Sequence, residues 1–147
     1  MNLQVRIVEP AACKPLRHLV LWPHIADEKD CVIDLDHNEG AIHLGTFDSG
    51  LLVSIGSLFQ QSTPKLNTSN QYRLRAMATH PDYRGKHCGA LLISEAIQLL
   101  KQKNVQVLWC DARLNAIGFY TSMGFQLLDE PYEVPCIGPH KFMWIDL

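Results

Sequence analysis

Long apolar runs are the first thing this chain lacks. The longest, Leu51-Leu52-Val53 and Val105 to Cys110 (interrupted by Gln106), fall far short of the roughly 20 residues that a membrane-spanning helix needs, so no membrane partner is expected. A basic start followed by an apolar stretch is also missing. Met1-Asn2-Leu3-Gln4-Val5-Arg6 alternates polar and apolar residues instead, and the expected address is cytoplasmic. Positive charge is not in excess: 13 Lys and Arg face 15 Asp and Glu for a net charge of -2, which removes nucleic acid from the expected partners. The five cysteines (Cys13, Cys31, Cys88, Cys110, Cys136) contain no C-x-x-C pair, and their odd number and wide spread point to reduced thiols, most of them buried. Neither G-x-x-x-x-G-K-[ST] nor G-x-G-x-x-G occurs, which excludes a P-loop and argues against nucleotide hydrolysis. With no repeat and no Gly/Ser-rich or Pro-rich linker, one domain over residues 1–147 is expected.

What is present is a readable order of elements. Residues 3–8 alternate as a strand. Pro10 to Trp22 reads as a helical segment whose helix starts near Pro15 and is stopped by Pro23. Residues 24–40 are polar and acidic and read as a loop. Ala41 to Phe47 and Leu51 to Phe59 form a hairpin around Asp48-Ser49-Gly50, and residues 60–70 are a second loop. From Gln71 to Thr79 the chain alternates, with Tyr72, Leu74, Ala76 and Ala78 on one face and Arg73, Arg75, Met77 and Thr79 on the other. The polar stripe Ser94, Glu95, Gln98, Lys101, Gln102 marks a helix over 88–102, with Asn104 as its C-terminal cap. A strand over 105–112 follows, then a helix from about Leu114 to Met123 closed by Gly124, and strands near Phe125–Leu128 and Phe142–Ile145. Strand, helix and strand between 71 and 112 make one parallel βαβ unit in an otherwise antiparallel meander, hence an α/β fold with a mixed sheet and helices on both faces.

The turn between strand 71–79 and helix 88–102 is where chemistry is expected. A helix start offers unpaired N–H groups and the positive end of its dipole, and residues 71–87 carry Arg73, Arg75, Arg84 and Lys86 against the single acid Asp82. Phosphate suits such a place; an ordinary turn with solvated cations fits the spacing equally well. His18, His24, Cys31, Asp34, Asp36, His37 and His43 crowd the first third, but their spacing matches no metal template, so no metal is expected.

Arg84-Gly85-Lys86-His87-Cys88-Gly89 resembles the acetyl-CoA motif [QR]-x-x-G-x-[GA] of the GNAT superfamily of N-acetyltransferases, with His87 in place of the central glycine. A histidine is tolerable there if its φ stays negative or its side chain points to solvent. Asn115 to Phe125 is similar to the family's A-x-x-F-Y-x-x-x-G-F element. Leu16 to Pro23 and Ile137-Gly138-Pro139-His140 look like a subgroup of small bacterial members. The resemblance implies an acetyl-CoA-dependent N-acetyltransferase acting on a primary amine of a small molecule or protein. The alternative of another class is a non-catalytic acyl-CoA-binding regulatory module.

It further implies that the backbone of Met77, Ala78 and Thr79 holds the pantetheine arm, and that Arg84, Gly85, Lys86, His87, Cys88, Gly89 and Ala90 hold the diphosphate. Asn115 and Phe119 line the thioester end, and Tyr120 donates the proton to the leaving thiolate; a core tyrosine beside Phe119 is the other reading of Tyr120. Where many members carry a strand glutamate this chain has Arg73, and where many carry an asparagine it has Arg113. His43, His140 and Asp111 are therefore the candidate bases, with water relays open, and Arg75, His43 and His140 the candidate acceptor contacts. Oligomeric state is not legible, and a homodimer is compatible with the sequence.

Overall fold

The computed structural model describes residues 1–128, 132–134 and 138–147. Cys136, Ile137 and much of the 129–140 connection lie outside the described residues. Two compact units are present: Met1–Phe59 with Leu74–Ala96, and Gln60–Arg73 with Ile97–Leu147.

In the first unit the strand order is β1 (Leu3–Ile7), β2 (Ile42–Asp48), β3 (Leu51–Gln60) and β4 (Gln71–Thr79), whose last residues belong here. β1 and β2 pair antiparallel from Leu3↔Asp48 to Ile7↔Leu44. The β2–β3 hairpin closes on Ser49 (φ 48) and Gly50 (φ 92), both left-handed, as a two-residue type I′ turn requires. One face of this sheet is covered by a short irregular helix: a 3-10 turn Pro10–Cys13, α1 (Lys14–Leu16) and a π-type turn Arg17–Leu21. The helical segment starts at Pro10 and its α-helical part at Lys14, next to Pro15, as expected, since a proline in the first turn has its φ already set. It stops before Pro23, with Trp22 pushed out of helical geometry at φ -131, ψ 53. Cys13 and Leu16 pack on Ile55 and Ala78, with Val8, Val20, Leu21 and Leu52 around them.

The opposite face carries α2 (Cys88–Gln102). Leu92 from that helix converges with Leu74 and Met77 over Gly56, where an added Cβ would stand 3.0 Å from Met77 Sδ and 3.1 Å from Leu92 Cδ2. Leu74 and Met77 therefore share a face, while Ala78 lies with Ile55 on the other. The expected strict alternation of β4 is broken by one step. The cause is Ala76, whose φ of 54 inserts an extra residue into the pleat.

In the second unit Gln71, Tyr72 and Arg73 of β4 pair in parallel with Val107, Leu108 and Trp109 of β5 (Val107–Arg113), and the ladder ends there. β5 pairs antiparallel with β8 (Gly138–Asp146), from Val107↔Asp146 to Arg113↔His140. β6 (Gln126–Leu127) and β7 (Tyr132–Val134) both pair with β8. The sequence did not announce β7. A 3-10 turn Leu114–Ala116 leads into α3 (Ile117–Ser122), and Gly124 (φ 98) turns the chain out of it. Asn104, at φ 60, closes α2 as its type suggests. The class is the expected one: a mixed, mostly antiparallel sheet with one parallel pair among the described residues.

Candidate functional site

The first unit builds a turn in which backbone donors outnumber acceptors. The end of β4 is pinned by Ser54, whose hydroxyl lies 3.1 Å from the Ala78 carbonyl and 2.9 Å from Thr79 Oγ1, and by the His80 N–H donating to Val53 O at 2.8 Å. A 3-10 turn over Pro81–Tyr83 follows, begun by the Asp82 N–H donating to His80 Nδ1 at 3.1 Å. Arg84, Gly85, Lys86 and His87 are then exposed, and Cys88 is buried as α2 opens. The Cys88 carbonyl accepts the Thr46 hydroxyl at 3.0 Å, which fixes the helix start on β2.

Among the described residues, no well-formed backbone hydrogen bond uses the N–H groups from Gly85 to Ala90. The first to do so is Leu91 N–H, donating to His87 O at 3.0 Å. Gly85 has φ 73, and nothing stands within 4 Å of where its side chain would be. A row of free donors, open space above them, the positive end of a 15-residue helix and the side chains of Arg84 and Lys86 fit a diphosphate. Gly89 and Ala90, half-buried in the first turn of α2, have only backbone groups to offer there. Burial and the nearby Asp48 push the Cys88 thiol up against the opposing pull of Lys86, so its role is packing, not nucleophilic attack.

His87 meets the second of the two conditions set for it, exposure, and not the first. Its φ is 65, not negative, and the residue is accommodated because it is exposed and histidine is one of the non-glycine types that visit this region. Met77 points its sulfur into the core under α2, and the Ala78 carbonyl already receives the Ser54 hydroxyl. Thr79 is half-buried at the strand end, and Arg75 is half-buried one residue before the break at Ala76. Ala76 itself was missed, because alanine carries no sequence signal for a left-handed backbone.

In the second unit Tyr120 is buried on α3, edge-on to Phe119 (5.1 Å) and tilted against Phe125 (5.3 Å). Burial, reinforced by the neighbouring Cys110 thiol, raises its phenol well above the usual value, so the hydroxyl keeps its proton. Asn115 is exposed on the preceding 3-10 turn and Phe119 is half-buried. Asp111 lies two residues past the last parallel pair, on the same side of β5 as Trp109. Arg73 stacks over the Trp109 ring at 4.8 Å and bonds Asp111 Oδ2 at 2.6 Å. Trp109 in turn stacks on Phe142 and donates its indole N–H to Gln61 O at 2.9 Å. His140 is buried on β8 and presents no exposed imidazole to an acceptor.

His43 also stands elsewhere than expected. It belongs to a sealed cluster of the first unit, its Nδ1 2.8 Å from Ser57 Oγ and its Nε2 2.9 Å from the Asp36 carbonyl. Both ring nitrogens are engaged, so it neither meets an acceptor nor takes its proton. Arg17, fully buried, clamps the Asp36 carboxylate through both Nη atoms (2.7 and 2.8 Å) and reaches Ser57 Oγ and the Cys31 carbonyl. Burial alone would raise Asp36. The Arg17 hydrogen bonds, the Ile33 N–H and the Arg17 and His43 charges outweigh it and hold the carboxyl below its ordinary value. Burial pushes the adjacent Cys13 thiol up to about 11. The density of polar residues over 17–43 is thus a structural lock on the 24–40 loop, and His18 is tied to the Ile25 carbonyl at 2.8 Å.

The sequence profile of the Acetyltransferase (GNAT) family matches residues 10–125. The uncharacterized N-acetyltransferase YitI of Bacillus subtilis (strain 168) is 40% identical over 142 residues, covering 97% of this chain and 95% of that protein. Among solved structures, an aminoglycoside 6'-N-acetyltransferase complexed with coenzyme A superposes with a TM-score of 0.77 at 12% identity, covering 97% of this chain and 96% of the other. The ribosomal-protein-S18-alanine N-acetyltransferase of Escherichia coli gives 0.75 at 19% identity, covering 99% and 94%. At those identities the structures speak for the fold alone.

Proposed function

The chain belongs to the acetyltransferase (GNAT) family and is an acetyl-CoA-dependent N-acetyltransferase, and from that premise we propose how its residues divide the work on a primary amine of a small molecule or a protein. Acetyl-CoA supplies the acetyl group already activated as a thioester. In the first unit the N–H groups from Gly85 to Ala90, with Arg84 and Lys86, hold the diphosphate, and Met77 and Thr79 hold the pantetheine arm through their backbones. The left-handed Ala76 interrupts β4 next to Met77, and the Met77 N–H is the donor that polarises the acetyl carbonyl in this reading.

In the second unit Tyr120 is the proton donor. Its buried phenol is a weaker acid than a thiol, so it stabilises the departing sulfur by hydrogen bonding before the proton moves. Of the three candidate bases Asp111 alone keeps solvent access, and it accepts the amine proton while Arg73 fixes its orientation.

The row of free N–H groups before α2 carries this reading. A panel of small amines and N-terminal peptides incubated with acetyl-CoA, read by release of free thiol, tests it. Amine-dependent thiol release that is lost in Tyr120→Phe supports it, and release indifferent to both amine and Tyr120 refutes it.

A further inference from the structure

In the second unit the 60–70 loop brings a primary amine to the face of the sheet on which Asp111 stands. The loop is tied down on both sides of that amine. The Gln71 side chain spans it, accepting the Thr63 N–H at 2.8 Å and donating to the Thr68 carbonyl at 2.7 Å, and the Trp109 indole N–H holds the Gln61 carbonyl at 2.9 Å. Between these ties the Lys65 N–H donates to Thr63 Oγ1 and the Leu66 N–H to the Thr63 carbonyl, each at 3.3 Å. From this fixed backbone the exposed Lys65 reaches Phe142, its Nζ 4.8 Å from the ring centroid. Phe142 is the β8 residue directly opposite Asp111, and such cross-strand partners share a face with Cβ atoms roughly 4.5–5.5 Å apart. Phe142 also stacks on Trp109, Arg73 lies over Trp109, and Arg73 holds Asp111. The Lys65 ammonium thus sits one strand over from the carboxylate assigned above to take the acceptor's proton. A cation–π contact at the surface is weak enough to be given up as the amine reacts.

We propose that Lys65 is an internal acceptor: its ε-amine is acetylated by the acetyl-CoA bound to the same molecule, with a lysine-like alkylamine as the acceptor chemistry of the site. This rests on the N-acetyltransferase reading above, with Asp111 as base. The step balances without any further reactant. Asp111 takes one proton from the Lys65 ammonium and passes it to solvent, and the freed lone pair forms the C–N bond to the acetyl carbonyl. The C–S bond breaks, the thiolate takes the Tyr120 proton, and the second proton shed by nitrogen replaces the one Tyr120 gave. The products are an amide on Lys65, coenzyme A with a free thiol, and a solvent proton. The amide carries no charge, so the acetylated side chain loses its attraction to the Phe142 ring.

The test is incubation of the protein with acetyl-CoA and no added amine, with acetyl-lysine located by peptide mass spectrometry over time. Lys65 is expected to be labelled about tenfold faster or more than the exposed Lys101 and Lys103, because it is held beside the base and they are not. Its rate constant should not change with protein concentration, the mark of transfer within one chain. Lys65→Arg keeps a cation for the Phe142 ring but has no nucleophilic amine, so the label at this position should vanish while added alkylamines are still turned over. Asp111→Asn should slow labelling of Lys65 about tenfold and leave that of Lys101 unchanged. Lys65 labelled no faster than Lys101, or at a rate constant that rises with protein concentration, overturns the proposal, and turnover of added amines in the same preparation leaves the N-acetyltransferase reading standing. Acetyl transfer neither to Lys65 nor to any added amine overturns both.

Discussion

Each unit contains an arginine–aspartate pair, and the two have nearly the same contact distance: 2.7 Å for Arg17–Asp36 and 2.6 Å for Arg73–Asp111. In each pair the Nε of the arginine is buried without a partner. Their surroundings separate them. The first pair is sealed, with side chains 0% and 2% exposed, and the second is open at 19% and 23%. A sealed carboxylate has no water to fall back on, so Asp36 is held by Arg17 and the Ile33 N–H, with His43 Nε2 3.9 Å away, and serves to hold the 24–40 loop against the Arg17–Leu21 turn. An open carboxylate can exchange partners. Burial, more than residue type or distance, assigns Asp36 to architecture and leaves Asp111 with the solvent access that its proposed role requires.

Removing one half of the sealed pair should have the largest effect. Asp36→Ala leaves a buried guanidinium uncompensated and is expected to cost about 3–5 kcal/mol of stability, near 10 °C in Tm by thermal or urea unfolding. Replacing both members, Arg17→Met with Asp36→Leu, should restore most of that loss. A single-variant cost below about 1 kcal/mol would erase the contrast between the pairs.

Tyr120→Phe keeps the ring packing against Phe119 and Phe125, so it is expected to lower kcat about 100-fold while the Kd for coenzyme A holds. Asp111→Asn sharpens the comparison from the open side: turnover about tenfold lower, with no more than about 1 kcal/mol lost in stability. The reverse balance, stability lost and turnover kept, would make Asp111 a second lock.

The smallest effect is one of pH. Asp36 is held below its ordinary value, so its contribution is fully present above the unfolded-state value of about 3.9 and disappears as pH falls through the lower folded value. Tm should therefore fall more steeply below about pH 4 in wild type than in Asp36→Asn, and parallel curves would show that the clamp does not couple to folding.

Much of this was legible in the chain itself. β4 and α2 fall at the residues that their periodicities mark, because alternation and a helical polar stripe are local signals read without knowing the partner. The turn before α2 was legible for the same reason, its cations and glycines being contiguous. What escaped reading depends on three-dimensional neighbours. His43 looked like a free imidazole until the fold put Ser57 and the Asp36 carbonyl against both nitrogens. Arg17 and Asp36 are 19 residues apart and announce nothing to each other in the sequence. Ala76 breaks the pleat of β4 with a residue type that ordinarily continues it.

The proposed function needs the turn before α2 to grip the cofactor, and calorimetric titration of acetyl-CoA into wild type and Gly85→Val measures that grip directly. Gly85 has a left-handed φ of 73 that a β-branched residue resists, in open space where no packing is lost. The expected result is saturable one-site binding to wild type and a binding loss of at least tenfold in a Gly85→Val protein that still melts cooperatively. No binding by wild type, or equal binding by the folded variant, would contradict it.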